Sequence, residues 1–190
     1  MKALEEKILK EGKVLPGNIL KVGSFLNHQI DVDFTMEMGK EIAELFKDDG
    51  VTKILTIETS GIAIAVGAGA ALHVPVVFAK KHKSSNVSGE VYKTVVHSYT
   101  HGTDYNVVVE KDYLNSEDKI LIVDDFLANG KALKGLIDIV NQAGAALAGA
   151  SCAIEKGFQH GGDELRADGI KVESLAIIDS MENGTVVFRD

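Results

Sequence analysis

The run Ile120-Leu121-Ile122-Val123-Asp124-Asp125-Phe126-Leu127-Ala128-Asn129-Gly130-Lys131-Ala132-Leu133 holds the most chemically informative spacing in the chain. Four apolar residues read as a buried strand that delivers two carboxylates to its carboxyl end. A short Ala-Asn-Gly loop then opens a helix carrying Leu133, Leu136, Ile137 and Val140. In open α/β sheets, ligands bind outside the carboxyl ends of the strands. A helix start offers unpaired backbone N–H groups and a partial positive charge, both suited to phosphate. Two acids beside an anion site conflict unless the ligand also carries hydroxyls. A ribose 5-phosphate unit has both: a phosphate for the loop and vicinal hydroxyls for the carboxylates. The acids alone also fit a simpler reading, in which they end a strand and cap the next segment. The whole run is more specific than the pair.

Other segments add candidates. Thr56-Ile57-Glu58-Thr59-Ser60-Gly61 ends one buried strand and opens a helix, and Thr59 and Ser60 would cap that helix in any protein. Lys80-Lys81-His82-Lys83 is a basic stretch, which a solvated turn would also explain. Lys156 follows a further expected strand, where a charge can point into a cleft. His97 and His101 have helical spacing but lie in strand-like sequence, so no metal site is expected there. Cys152 sits in an apolar run and reads as a small core residue.

These residues need a scaffold. Leu4, Ile8 and Leu9 mark a short amphipathic helix that Gly12 can end. Val14 to Leu20 reads as a loop. Phe34, Met38, Ile42, Leu45 and Phe46 recur near the helical period, predicting a helix over 33–47 with Asp31 or Asp33 as its cap. Strands are expected at Ile54 to Ile57, from Val76, at Lys119 to Val123, at Ala148 to Ile154 and at Val172 to Ile177. An Ala-rich helix from about Ile62 to Leu72 joins the first two into a βαβ unit with parallel strands. The expected class is α/β, a mostly parallel central sheet flanked by helices. Between Lys80 and Lys111 the pattern changes. Ser84 to Gly89 is small and polar, while Val91 to Tyr99 and Tyr105 to Val109 are strand-like, which reads as a flexible loop and an antiparallel flap. Gly161-Gly162 reads as a turn.

Composition bounds the function. Of 190 residues, 20 are Lys or Arg and 28 are Asp or Glu, a formal charge of -8; 45% are apolar and 25% charged. That balance is globular and excludes disordered, collagen-like and coiled-coil classes. The length fits one domain, residues 1–190. The acidic total argues against a nucleic-acid partner, whose phosphates need positive surface. The lone Cys152 forms no intrachain disulfide and points to the reducing cytoplasm. Met1 to Gly12 is charged and has no apolar signal-peptide core. Ser60 to Ala79 runs 20 residues without Asp, Glu, Lys or Arg, about a membrane span. Three glycines, His73 and Pro75 interrupt it, so a helix followed by a strand is the better reading, with no membrane contact expected.

The run from Ile120 resembles the phosphoribosyl-diphosphate motif of the type I phosphoribosyltransferases: four apolar residues, two acids, two apolar residues, then a small loop opening a helix. Leu20-Lys21-Val22, Ser24-Phe25-Leu26-Asn27-His28-Gln29-Ile30-Asp31, Phe126-Leu127-Ala128-Asn129-Gly130 and Ile154-Glu155-Lys156 are similar to the bacterial xanthine branch of that superfamily. The likeness spans nearly the whole chain. Many superfamily members carry a Thr-Gly-Gly-Thr-like phosphate loop; Ala128 to Ala132 lacks those hydroxyls, a departure the xanthine branch shares.

The resemblance implies a type I phosphoribosyltransferase fold. A small purine-binding hood would come from about residues 1–32 and the carboxyl-terminal part. The implied reaction moves phosphoribosyl from 5-phospho-α-D-ribose 1-diphosphate to xanthine, giving xanthosine 5′-monophosphate and diphosphate. Asp124 and Asp125 would be the catalytic carboxylates on the ribose hydroxyls. Ala128, Asn129, Gly130, Lys131 and Ala132 would hold the 5-phosphate; apart from the resemblance, Lys131 and Lys134 could add positive potential there, though Lys134 reads equally as a solvated helix residue. Glu58, Thr59, Ser60 and Gly61 would form the diphosphate loop, aided by the point charges of Lys80, Lys81 and Lys83. Leu20, Asn27 and Lys156 would contact the purine. From the residues themselves, Phe158 could stack on it, though an aromatic near a strand end is more often packing, and Glu155 could orient Lys156 or simply balance its charge. An ammonium only donates hydrogen bonds, so Lys156 suits a 6-oxo purine and mismatches adenine's amino group. Mg²⁺ would arrive on the substrate diphosphate, without direct protein ligands. A cytoplasmic homodimer is implied.

Three rivals compete. A signalling receiver domain shares an apolar strand with an acidic pair, but that pair belongs near its start. A non-catalytic regulator that senses phosphoribosyl diphosphate on the same fold carries an added DNA-binding domain, for which this length leaves no room. Guanine or hypoxanthine preference within the enzyme class is the third, since Lys156 separates oxo from amino purines better than one oxo purine from another.

Overall fold

The structure, a computed structural model, describes residues 1–82, 90–98 and 103–189. Lys83, the Ser84 to Gly89 loop and His101 lie outside the described residues. The elements are α1 (Lys2–Glu11), β1 (Lys13–Leu15), β2 (Ile19–Lys21), α2 (Val32–Phe46), β3 (Lys53–Ile57), α3 (Gly61–Leu72), β4 (Val76–His82), β5 (Val91–Ser98) and β6 (Thr103–Glu110). After them come β7 (Lys119–Leu127), α4 (Lys131–Gln142), β8 (Ala146–Lys156), α5 (Gly161–Ala167), β9 (Val172–Ser180) and β10 (Val187–Phe188).

The apolar runs of β3, β7 and β8 form the centre of an eight-stranded sheet ordered β10-β9-β8-β7-β3-β4-β6-β5. Strands β9, β8, β7, β3 and β4 are parallel; β10 and the β5–β6 pair are antiparallel additions. Continuous apolar strands require cover on both faces. One face packs Leu4 and Ile8 of α1, Met38, Ile42 and Phe46 of α2 and Ile64 of α3. The other packs Leu133, Leu136, Ile139 and Val140 of α4 and Leu165 of α5. The crossover after β3 thus lies on one face and the crossover after β7 on the other. This is a topological switch point, where the loops beyond two neighbouring strands diverge and leave a crevice.

Helix α2 begins where its sequence allows. The Asp31 carboxylate accepts the Phe34 N–H at 3.2 Å, so Asp31 is the cap and Asp33 sits inside the first turn. Helix α2 meets α3 at glycine: a methyl group on Gly39 would stand 2.2 Å from the Gly67 carbonyl carbon. Helix α3 has 12 residues, about 18 Å at 1.5 Å per residue, too short for a bilayer core of about 30 Å. No helix among the described residues is long and apolar enough to cross a membrane.

Several expected boundaries move. Val14 to Leu20 is an antiparallel hairpin, with Gly17 and Asn18 turning at positive φ. Its three-residue strands are too short to show alternation. Strand β7 does not stop before Asp124. Its ladder with β8 continues to Leu127↔Glu155, so both acids lie within the strand. Lys80, Lys81 and His82 belong to β4, because β6 supplies partners through Lys80↔Val108, Lys81↔Val107 and His82↔Asn106. The flap strands β5 and β6 therefore extend the main sheet. Gly161-Gly162 opens α5 and is not a free turn; the Glu164 N–H bonds the His160 carbonyl at 2.9 Å.

Candidate active site

The pairing of β3 with β7 ends at Leu55↔Ile122. Beyond it, the chain after β3 comes against Asp124 at Gly61. Gly61 starts α3 because nothing larger fits. A methyl group there would stand 2.4 Å from Thr56 Oγ1 and 2.9 Å from Asp124 Oδ1. Ser60 makes no side-chain capping bond, so no side chain caps the start of α3; the Ile62 N–H bonds the Thr59 carbonyl at 3.2 Å. The Glu58–Thr59 peptide is cis, and the Glu58 carboxylate accepts the Lys81 backbone N–H. Thr56 Oγ1 is buried without a hydrogen-bond partner among the described residues.

The two acids have different surroundings. Asp124 is 5% exposed, and its Oδ1 accepts the Asp125 N–H at 2.9 Å. Burial, then the neighbouring Asp125 charge, pushes its carboxyl well above the usual carboxylate range. The positive charge of Lys81 opposes that shift. Asp125 is half-buried. Lys81 Nζ lies 5.3 Å from the centre of the Tyr105 ring, and burial followed by the Asp124 charge raises the Tyr105 phenol. Lys81, Tyr105, Asp124 and Glu58 are therefore one cluster. Lys80, next along the strand, points the other way and pairs loosely with Glu110 at 3.8 Å, both half-exposed.

The loop after β7 is held by its own backbone and side chains. Asn129 Oδ1 accepts the Lys131 N–H at 3.2 Å, and Gly130 takes a left-handed φ of 76° to enter α4. Lys134 on α4 pairs with Glu164 of α5 at 2.8 Å, so its charge is already engaged.

The purine candidates separate. Lys156 ends β8; its ammonium donates to the Asn18 carbonyl at 2.9 Å and lies 5.8 Å from the centre of the Phe126 ring. Burial lowers its affinity for the proton. Leu20 is 6% exposed, pairs with Val14 across the hairpin and packs in the core. Asn27 is exposed at the end of the Gly23–Asn27 turn, with no side-chain hydrogen bond among the described residues. Phe158 packs against the core, and Phe126 is the aromatic beside Lys156. Glu155 does not orient Lys156: it is fully buried and held by Arg166 and Ser174. Between the hairpin turn and the Glu182–Gly184 turn lies a cavity of about 480 Å³ whose lining includes none of these candidates. Among the described residues, no group of three His, Cys, Asp or Glu side chains could hold a metal ion. Cys152 is buried beside Ser174, as its apolar run implied.

Sequence reasoning missed Tyr105, Asn18 and Arg166. Tyr105 stood in a strand-like run with nothing to mark it, and β4–β6 pairing alone carries it to Lys81. Asn18 acts through its carbonyl, which no residue type announces. Phe126 did carry a signal, as the aromatic immediately after the acids.

A strand–acid–acid–loop–helix unit at a switch point defines a class, and residues 25–189 match the model of the phosphoribosyl transferase domain. The chain belongs to the phosphoribosyltransferase family. Within it, the chain is 56% identical over 192 residues to a Bifidobacterium adolescentis protein named xanthine phosphoribosyltransferase, covering all of both chains. It is 54% identical over 191 residues to a Lachnoclostridium phytofermentans protein of that name, covering 100% of this chain and 98% of the other. The adenine phosphoribosyltransferase of Rhodothermus marinus superposes with a TM-score of 0.74 at 20% identity, over 94% of this chain and 100% of that one. The Giardia lamblia enzyme in complex with 9-deazaadenine gives 0.74 at 19%, over 92% and 96%. Those two structures establish the type I fold.

Proposed function

We propose that the protein transfers the 5-phosphoribosyl group of 5-phospho-α-D-ribose 1-diphosphate to xanthine, forming xanthosine 5′-monophosphate in purine salvage. The observation that carries the reading is Asp124-Asp125 running directly into the Ala128–Ala132 loop, opposite the uncapped start of α3. A purine ring nitrogen forms a bond to the anomeric carbon while that carbon's bond to diphosphate breaks, the electron pair leaving with diphosphate. No protein nucleophile is needed, so positioning and charge stabilisation carry the rate. Backbone N–H groups of Ala128 to Ala132 hold the 5-phosphate. The carboxylates of Asp124 and Asp125 accept ribose hydroxyls and face the positive charge that develops on the sugar. Thr59 to Gly61 and Lys81 receive the diphosphate.

Mg²⁺ carried on the diphosphate neutralises the leaving group's charge when bound. A half-buried Asp125 carboxylate next to the buried Asp124 suits an ion held mainly by substrate oxygens and water. On the purine side, Lys156 donates to an exocyclic oxo oxygen, Phe126 supplies the apolar face, and Leu20 and Asn27 belong to the hood around it. The names of the relatives favour xanthine over guanine. The reading includes one phosphoribosyltransferase domain over residues 1–190 and a cytoplasmic setting. A homodimer completes it, in which a second copy would cover exposed apolar side chains such as Val66 and Phe78. The test is turnover with phosphoribosyl diphosphate, Mg²⁺ and each of xanthine, guanine, hypoxanthine and adenine. Xanthine should give the highest kcat/KM. Diphosphate release with none of the four overturns the enzyme reading, and a guanine or hypoxanthine preference transfers it to the sister specificity.

A further inference from the structure

Glu155 is a carboxylate with no solvent exposure, one position before Lys156 and opposite Leu127 in the β7–β8 ladder. A buried charge is costly unless paired and fully hydrogen-bonded. Here both oxygens are engaged. Arg166 of α5 donates to Oε1 at 2.9 Å and to Oε2 at 2.7 Å, and Ser174 Oγ of β9 also donates to Oε2. Arg166 further bonds the Val172 carbonyl at 3.1 Å. The two-pronged Arg–carboxylate geometry fixes orientation as well as distance. Gly162 lets α5 close on this pair: a methyl group there would stand 2.1 Å from Glu155 Oε1.

The residue before it meets the other side. A methyl group on Gly161 would stand 2.4 Å from the Ala128 oxygen, from the Asn129 carbonyl carbon and from the Gly130 nitrogen. Gly130, at its left-handed φ, in turn lies against Gly161, with a methyl group there reaching the Gly161 oxygen at 3.3 Å. Lys134–Glu164 at 2.8 Å clips α5 to α4 beyond the loop.

We propose that Gly161, Gly162, Glu155 and Arg166 are positioning residues that set the phosphate-loop backbone for phosphoribosyl diphosphate. The buried Glu155–Arg166 pair locks α5 to β8 and β9, and the bare Gly161 backbone is the surface on which Ala128 to Gly130 rests. The N–H groups of that loop are then held in place before the ligand arrives, which is how small binding sites gain affinity. The inference rests on the reading of Ala128 to Ala132 as the 5-phosphate loop.

The experiment measures KM for both substrates, with calorimetric binding of ribose 5-phosphate, in the wild type, Gly161→Ala, Arg166→Gln and Arg166→Lys. Sub-ångström displacement of a ligand cradle is felt strongly, so Gly161→Ala should raise KM for phosphoribosyl diphosphate about tenfold or more and weaken ribose 5-phosphate similarly, with KM for xanthine within about twofold. Arg166→Gln should do the same to a smaller degree, and Arg166→Lys should recover part of the loss. Unchanged sugar-phosphate binding in a folded Gly161→Ala overturns the inference. If that variant does not fold, a KM rise shared equally by both substrates in Arg166→Gln overturns it. A wild type that neither turns over phosphoribosyl diphosphate nor binds ribose 5-phosphate defeats the reading of the loop itself.

Discussion

Replacing Lys156 with Met keeps chain length and apolar contact with Phe126 while removing the ammonium. In the structure one of its three donors reaches the Asn18 carbonyl, which leaves two for an oxo oxygen of the purine. A hydrogen bond from a charged donor contributes about 1.5–3 kcal/mol. Lys156 is half-buried, so the lower end applies, about 1.5 kcal/mol, or roughly tenfold in rate per bond. One bond lost gives a fall of about 10-fold in kcat/KM for xanthine, and two give about 100-fold. The assay follows xanthosine 5′-monophosphate formation at saturating phosphoribosyl diphosphate and Mg²⁺ with xanthine varied, then the reverse. The KM for phosphoribosyl diphosphate should stay within about twofold. A kcat/KM loss below about threefold, or one shared equally by the sugar substrate, would refute the assignment. The pH profile supplies a second arm. Burial lowers the Lys156 pKa below the ordinary 10.5, so the donating form is lost earlier as pH rises. Activity on xanthine should decline in alkali before an ordinary lysine would discharge, and Lys156→Arg, always charged, should remove that decline.

Asp125→Asn should lower kcat by at least about tenfold with an unchanged melting temperature, since the side chain is only half-buried and lies outside the buried core; an unaltered kcat would take the carboxylate out of the mechanism. Asp124→Asn should separate stability from activity. The Asp124 carboxyl titrates higher folded than unfolded, so the stability it contributes is present in acid and lost as pH rises through its raised value. The neutral Asn should therefore melt higher than the wild type at neutral and alkaline pH while turning over more slowly, and a gap that grows on acidification would contradict the burial argument. Gly39→Ala should cost about 1–3 kcal/mol in denaturant unfolding, because its methyl group would meet the Gly67 backbone at 2.2 Å; a wild-type midpoint would mean α2 and α3 can part freely.

How much the chain reveals unaided depends on the range of the interaction involved. The apolar runs of β3, β7 and β8, the helical period of α2 and the Asp31 cap are local patterns, and each appears where the residues put it. The acids and the Ala128–Ala132 loop are likewise contiguous, so their shared chemistry is legible in one stretch of sequence. Strand ends are not local. Asp124, Asp125, Lys80 and Lys81 lie inside strands because β8 and β6 offer them partners, and nothing in their own composition says so.

The sequence by itself determined the α/β class and the family, and it singled out the segment proposed to carry the chemistry, because periodicity and short motifs survive without a third dimension. Only the tertiary structure decided which lysine stands by the acids. Lys80 and Lys81 are adjacent and alike, yet strand alternation sends one toward Glu110 and the other toward Tyr105 and Asp124. It also decided the task of Glu155, which takes its charge partner from α5 and not from its neighbour Lys156, since a fully buried carboxylate must satisfy both oxygens wherever the fold supplies donors.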